Sequence, residues 1–424
     1  MALLLCCAWP ESSPGYAVLA HEAIIDAAWD TDIRPLLLKR FPNATHEQLK
    51  EAHGYAYGGA IIQDVGYYPH GNHFFSDLAH YVRSGDFVLA LLRDAKQDNS
   101  LDEYAFALGA LSHYAADNEG HKIGVNRAEP VLYKGIERKY GDWVTYEQNP
   151  LDHLKTEFGF DVLQVAQGRY ASTSYHDFIG FGVSTPLLER AFQETYGLDL
   201  KTVLRDEDKL IGSYRHDVSQ LIPKATRIAW SLKKDEILKD QPSMTKRQFL
   251  FNVSRASYQK RWGKDYQPLS FGDKLVAFIV KIIPKIGPLK VLQLRMPTPE
   301  AERMFEASFN ATLDDYRRLL RQEAAGQQPN VPNDNFDTGD VTTPGKYWLD
   351  DDTHANLVDR LAQQNFQNIS PELRAEILKF YGEPGVHYAT ERKPKEWARV
   401  QAEVAELRNR PEPGQAQPAA DPRP

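Results

Sequence analysis

Residues 101–126 read LDEYAFALGALSHYAADNEGHKIGVN, and the reading of this stretch decides the fold class. Phe106, Leu108, Leu111 and Tyr114 recur at helical spacing, so 104–117 is expected to form a helix with His113 and Asp117 one turn apart on the same face. His121 continues the row just past Gly120. Imidazoles and carboxylates beside an apolar face need partners when buried, and a divalent cation is a partner for all three. One such pair alone more often marks a capped helix end with surface His and Asp. Further ligand-type residues elsewhere in the chain tip the balance toward a metal.

Upstream, Val18, Leu19, Ile24, Ile25, Trp29 and Ile33 predict a helix across 16–38, with His21 near its start. A second helix is expected over 46–59, ending at Gly58 and Gly59. Asp64 follows the short apolar run Ile61-Ile62 in a Gly-containing context that suits a turn. Residues 70–87 are dense in histidine and aromatic side chains. Phe74 and Phe75 there, like Tyr67 and Tyr68 just before, read as core or as pocket wall. Ser84, Gly85 and Asp86 predict a turn and cap into a helix over 87–96. Downstream, His153 and Glu157 form a second His and carboxylate pair at i, i+4. Together, His21, Asp64, His80, His113, Asp117, His121, His153 and Glu157 point to zinc, the metal suited to imidazole-rich sets. His176 and His216 lack a second ligand at metal spacing and read as structural.

The remaining pattern is helical over 178–188, 198–210, 216–232 and 298–323, twice within 350–381 and once over 393–409, with no strand pattern strong enough to build a sheet. The most apolar segment, 271–294, is broken by Lys281, Pro284, Lys285, Gly287, Pro288 and Lys290, which excludes an ordinary transmembrane helix. It reads either as a buried helix with a turn or as an interfacial element whose lysines face lipid phosphates. The chain divides into a signal segment (1–15), a helical metal-binding domain (16–325), a loop or linker (326–349), a C-terminal helical extension (350–409) and a Pro- and Ala-rich tail (410–424) expected to be disordered.

A length of 424 residues, 42% apolar and 25% charged, belongs to a globular chain with room for a large core. Fifty basic against 58 acidic side chains give a net charge of −8, which argues against an extended nucleic-acid surface. It leaves room for a local site where bound cations reverse the sign. Cys6 and Cys7 are the only cysteines, so everything downstream folds without disulfides or thiolate ligands. The apolar run 2–9, followed by Pro10, Ser12, Ser13, Pro14 and Gly15, reads as the end of a secretory signal cleaved before Tyr16. That reading makes the protein secreted or periplasmic, and cytoplasmic if the signal does not function. A lipid anchor at Cys6 or Cys7 is the alternative, although the small residue that usually precedes such a cysteine is missing.

An early His, then Asp, His, His-x-x-x-Asp, His and His-x-x-x-Glu is the order in which the chain resembles the zinc-dependent phospholipase C family. That family shares its all-helical fold with single-strand-specific nucleases of the S1/P1 type. The resemblance covers 16–157 by motif and implies an all-α, multi-helix phospholipase C/P1 nuclease-like domain with additional C-terminal helices. It further implies three zinc ions. Asp64, His80, His113 and Asp117 would hold one; His121, His153 and Glu157 a second; His21, a bridging Asp117 and the amino group and carbonyl of a mature N-terminus at Tyr16 a third. The implied activity is hydrolysis of a phosphodiester by metal-activated water, with phospholipid cleaved to diacylglycerol and phosphorylated headgroup, Asp64 as general base and Asp117 serving two ions. A nuclease and a non-catalytic zinc-binding helical module are the alternatives. The implied partners are a phospholipid or other phosphodiester and, peripherally, a membrane; oligomeric state is not legible. Four departures stand out: Tyr16 replaces the family's Trp, the interval from Asp117 to His121 is short, His73 competes with His80 for the first site, and Glu157 is lipase-like where the nucleases carry Asp.

Overall fold

Helix after helix follows along the chain, because apolar residues recur at helical spacing and side-chain oxygens cap the starts. In the computed structural model, the described residues are 16–68, 70–166, 182–216, 297–411 and positions 234, 235, 238, 239 and 295. The first group of helices is α1 (Val18–Ala28), α2 (Arg34–Arg40), α3 (His46–Gly59), α4 (His73–Tyr81), α5 (Ser84–Asp98), α6 (Leu101–Glu119), α7 (Asn126–Leu132), α8 (Lys134–Tyr140) and α9 (Pro150–Ala166). Then come α10 (Thr185–Tyr196), α11 (Leu200–Leu204), α12 (Glu207–His216), α13 (Pro299–Ala324), α14 (Trp348–Gln363), α15 (Pro371–Phe380) and α16 (Pro394–Asn409). One short antiparallel pair, β1 (Asp334–Asn335) and β2 (Asp340–Val341), sets Asp334 opposite Val341. The fold is all-α, as expected from the sequence.

Helix α6 is the axis. Every residue from Tyr104 to Asn118 is buried, so the helix is wrapped on all sides rather than on one apolar face. Its neighbours are α1, α3, α5 and α13. Ser100 caps it, accepting a hydrogen bond from the Glu103 backbone N–H at 3.4 Å. A reciprocal capping box between Thr45 and Gln48 starts α3. α3 and α6 touch backbone to backbone where glycines cross: a Cβ on Gly109 would stand 2.1 Å from the Ala56 carbonyl oxygen. This crossing sets the turn after α3, Ile62–Tyr67, against the middle of α6, where Gln63 Nε2–H donates to the Ala110 carbonyl at 3.1 Å.

Where single helices were expected, two are interrupted. Over 16–38 the chain widens into a π-type turn, Trp29–Ile33, before α2. Pro35 has no N–H to give the ladder. Over 198–210 the path breaks at Arg205, which has a φ of 32°. The second half of the expected helix at 178–188 is present as the start of α10. The segments 217–232 and 271–294, His176, the signal segment and the end of the tail lie outside the described residues. Among the described residues no helix is long and apolar enough to cross a membrane.

The C-terminal helices join the same core. Leu357, Val358 and Leu361 of α14 are buried in one cluster with residues of α4, α5 and α6, and the Arg360 guanidinium lies 4.5 Å from the centre of the Phe74 ring. Between α13 and α14, the β1–β2 segment runs over the ends of α4 and α6. There the Phe336 N–H donates to the His80 carbonyl at 3.1 Å, and Tyr114 Oη–H donates to Asp334 Oδ2 at 2.6 Å.

Candidate metal centre

Helix α6, the turn after α3 and the last turn of α4 bring four side chains to one buried point. Asp64, His80, His113 and Asp117 each offer an atom to a cluster in which all four lie within 4.8 Å of one another. His113 Nε2 is 3.1 Å from Asp117 Oδ2, His80 Nε2 is 3.2 Å from Asp64 Oδ1 and 3.3 Å from Asp117 Oδ2, and the two histidine Nε2 atoms are 3.4 Å apart. Ligands at zinc distances on a tetrahedron are separated by about 3.3 Å. Both histidines have their orientation fixed from behind. His113 Nδ1–H donates to the Ala60 carbonyl at 2.8 Å and His80 Nδ1–H to the Ser76 carbonyl at 2.7 Å. A carbonyl only accepts, so each Nδ1 carries the proton and each Nε2 turns a lone pair inward.

His21 enters from α1, stacked on His113 at 4.5 Å between ring centres. Its Nε2 lies 3.5 Å from Asp117 Oδ1 and 3.9 Å from Asp64 Oδ2. Asp117 therefore shows one oxygen to His21 and the other to His80 and His113.

His121 belongs elsewhere. The row expected from its spacing does not continue, because α6 gives way to a π-type turn over Gly120–Val125 that changes the angular step per residue. His121 instead joins His153 and Glu157 of α9 in a second buried group. Glu157 Oε1 is 3.0 Å from His153 Nε2 and 3.8 Å from His121 Nε2. These two histidines are backed by carboxylates. His121 Nδ1–H donates to Asp337 Oδ1 at 3.0 Å, and His153 Nδ1 faces Glu129 Oε2 at 3.5 Å.

The unmatched atoms test whether a cation fits. Both ring nitrogens of His21, Asp64 Oδ1, both Asp117 carboxylate oxygens, His121 Nε2 and His153 Nε2 are buried without a hydrogen-bond partner. Orphaned buried polar atoms of this kind are costly, and here each of them except His21 Nδ1 lies beside another ligand-type atom of the two clusters. The electrostatics agree. Burial opposes charge on His80, but the Asp117 and Asp64 carboxylates outweigh it and push the imidazole up to about 10. His153 is likewise pushed up to about 10 against its burial, by Glu129 and Glu157. Burial raises Asp64, while the imidazoles around Asp117 overcome burial and hold it well below the usual carboxylate range. Protons on histidine thus stand in for the positive charge these carboxylates call for, and a divalent cation would displace them. The donor set, imidazole and carboxylate without sulfur, suits zinc.

The sequence-derived ligands are thus brought together in two groups, with His21 beside the first. His73, the competitor of His80, is exposed at the start of α4. Tyr16 is buried with its ring against His21 and Phe305 and its hydroxyl bonded to Ser308. Tyr67 and Phe75 are core, Tyr67 donating to Asp77 Oδ1 at 3.0 Å and Phe75 stacking on Phe192. The sequence reading missed Asp337 and Glu129. Asp337 sits in the turn-like run Asn333-Asp334-Asn335-Phe336-Asp337-Thr338-Gly339, where nothing distinguishes it from its acidic neighbours.

Residues 20–205 match the family described as zinc dependent phospholipase C. No curated protein and no solved structure matches the chain. All seven side chains of the two clusters, and His21, fall inside the matched residues, whereas Asp337 lies far beyond them. It is over residues 20–205, less than half of its length, that the chain is similar to the zinc-dependent phospholipase C family.

Proposed function

We propose that this zinc hydrolase is a phospholipase C, cleaving a phospholipid to diacylglycerol and a phosphorylated headgroup. The observation that carries the reading is the pair of buried clusters of ligand-type side chains within the family-matched residues, in which Asp64 Oδ1, both Asp117 oxygens and the Nε2 atoms of His121 and His153 have no hydrogen-bond partner. Asp64, His80, His113 and Asp117 would hold one zinc ion and His121, His153 and Glu157 another. A third would rest on His21, Asp117 and the main chain at Tyr16, a role supported by the way Asp117 divides its two oxygens. Bound zinc would neutralise the phosphate oxygens and bring the pKa of water down toward ~7.

The chain's own residues do the rest. Asp64 would act as the general base: its Oδ1 lies 3.2 Å from His80 Nε2 among the zinc ligands, which leaves its second oxygen, Oδ2, to take the proton of the attacking water. The backbone carbonyls behind His80 and His113 keep each Nε2 lone pair pointed inward throughout the reaction. Export through the segment before Tyr16 belongs to the same proposal, since cleavage there would expose the amino group that the third ion needs.

Vesicles of phosphatidylcholine supply the test. Zinc-loaded protein beginning at Tyr16 is expected to release phosphocholine, and chelator to stop it. No release by protein shown to carry zinc, together with cleavage of single-stranded DNA, would overturn the phospholipase reading in favour of a nuclease.

A further inference from the structure

We propose that Asp337 is the positioning residue of the second zinc site, so that the segment between α13 and α14 completes a metal centre whose ligands all lie far upstream. The proposal rests on the zinc reading of the two clusters and is independent of the substrate.

Three observations carry it. First, Asp337 is fully buried and its Oδ1 takes the Nδ1–H of His121 at 3.0 Å. A carboxylate there fixes the tautomer that leaves Nε2 bare toward Glu157, and it makes that nitrogen a stronger donor to a cation. Second, the carboxylate is itself held in place. Its Oδ2 accepts from the Tyr146 N–H at 2.9 Å and from Tyr347 Oη–H at 2.7 Å. Its backbone N–H donates to Asn335 Oδ1 at 2.9 Å, and its carbonyl accepts from Asn126 Nδ2–H at 2.7 Å. Third, the two clusters differ in charge. The first has two carboxylates, Asp64 and Asp117, and its histidines are backed by neutral carbonyls. The second has one, Glu157, and its histidines are backed by Asp337 and Glu129. Asp337 supplies negative charge from behind the imidazole that the ligand set lacks. The same segment also walls the first cluster, with the Phe336 ring centre 5.2 Å from that of His80.

The test is zinc release from the full-length, zinc-loaded chain, titrated with a chromogenic chelator, with cobalt-substituted protein read by its visible spectrum. Asp337→Asn keeps an acceptor of the same size and removes the charge. It is expected to give up one class of zinc roughly ten- to a hundredfold more easily, to shift the cobalt spectrum, and to leave the remaining zinc bound as in the native chain. Asp337→Glu is expected to recover part of the affinity. Asp334→Asn, in the same segment but bonded through its carboxylate to Tyr114 rather than to either cluster, is expected to leave zinc release unchanged. A release curve for Asp337→Asn that superimposes on the native one overturns the proposal. So does equal weakening of all the zinc, or an equal loss in Asp334→Asn, because either would mean that the loop's packing acts rather than the Asp337 carboxylate.

Discussion

Gly109 of α6 and Ala56 of α3 approach so closely that a Cβ at Gly109 would stand 2.1 Å from the Ala56 carbonyl oxygen, and one at Gly59 would stand 1.9 Å from that of Phe106. Both obstacles are backbone, which cannot rotate away. Gly109→Ala must therefore part the two helices and draw the Ala60 carbonyl from His113 Nδ1. We expect a loss of about 1–3 kcal/mol, the usual cost of overpacking, and weaker zinc binding. Gly135→Ala in α8, where a Cβ meets nothing within 4 Å, should instead gain about 0.5–1 kcal/mol from helix propensity. Denaturant midpoints check this directly, and equal stability of the two variants would refute the close-approach argument.

Asp117 serves both sides of the first cluster, with Oδ1 3.5 Å from His21 and Oδ2 3.1 Å from His113. If both oxygens bind zinc, Asp117→Asn should cost the protein more bound metal than Glu157→Gln, which touches only the second group. It should also cost more thermal stability, because ligands spread over α1, α4, α6 and the turn after α3 make metal binding part of folding. Metal analysis of the two purified variants, followed by melting curves with and without chelator, measures both effects. Equal zinc content in the two would remove Asp117 from its bridging role.

The helices and the clustered candidate ligands were legible because both leave short-range marks. Spacing of three and four gives the helices, and i, i+4 pairs give His113 with Asp117 and His153 with Glu157. What sequence did not show depends on the path between elements. The resemblance already grouped His121 with His153 and Glu157, but the π-type turn at Gly120 that takes it there has no apolar signature. Asp337 reaches His121 across more than two hundred residues, and Ala60 and Ser76 act through carbonyls that every residue possesses. Full burial of α6 was equally hidden, since a helix wrapped on all sides loses the contrast between faces on which periodicity depends.

Glu147 gives the pH dependence that can be worked out without touching a metal ligand. Its Oε2 accepts the Trp348 N–H at 2.8 Å at the start of α14. Burial, with Asp337 nearby, pushes its carboxyl up from 4.5 to about 7 despite that bond. The folded state therefore binds this proton more tightly than the unfolded one. The contribution is fully present below 4.5 and is lost as pH rises through about 7. Glu147→Gln keeps an acceptor for Trp348 and has no proton to lose. Its stability relative to the native chain should be flat near about pH 4 and should rise in favour of the variant up to about pH 8. Taking the difference at each pH cancels the opposite trend from zinc, whose ligands must shed protons to bind. Paired melting curves across that range make the measurement, and a difference that does not change with pH would show that Glu147 has the same pKa folded and unfolded.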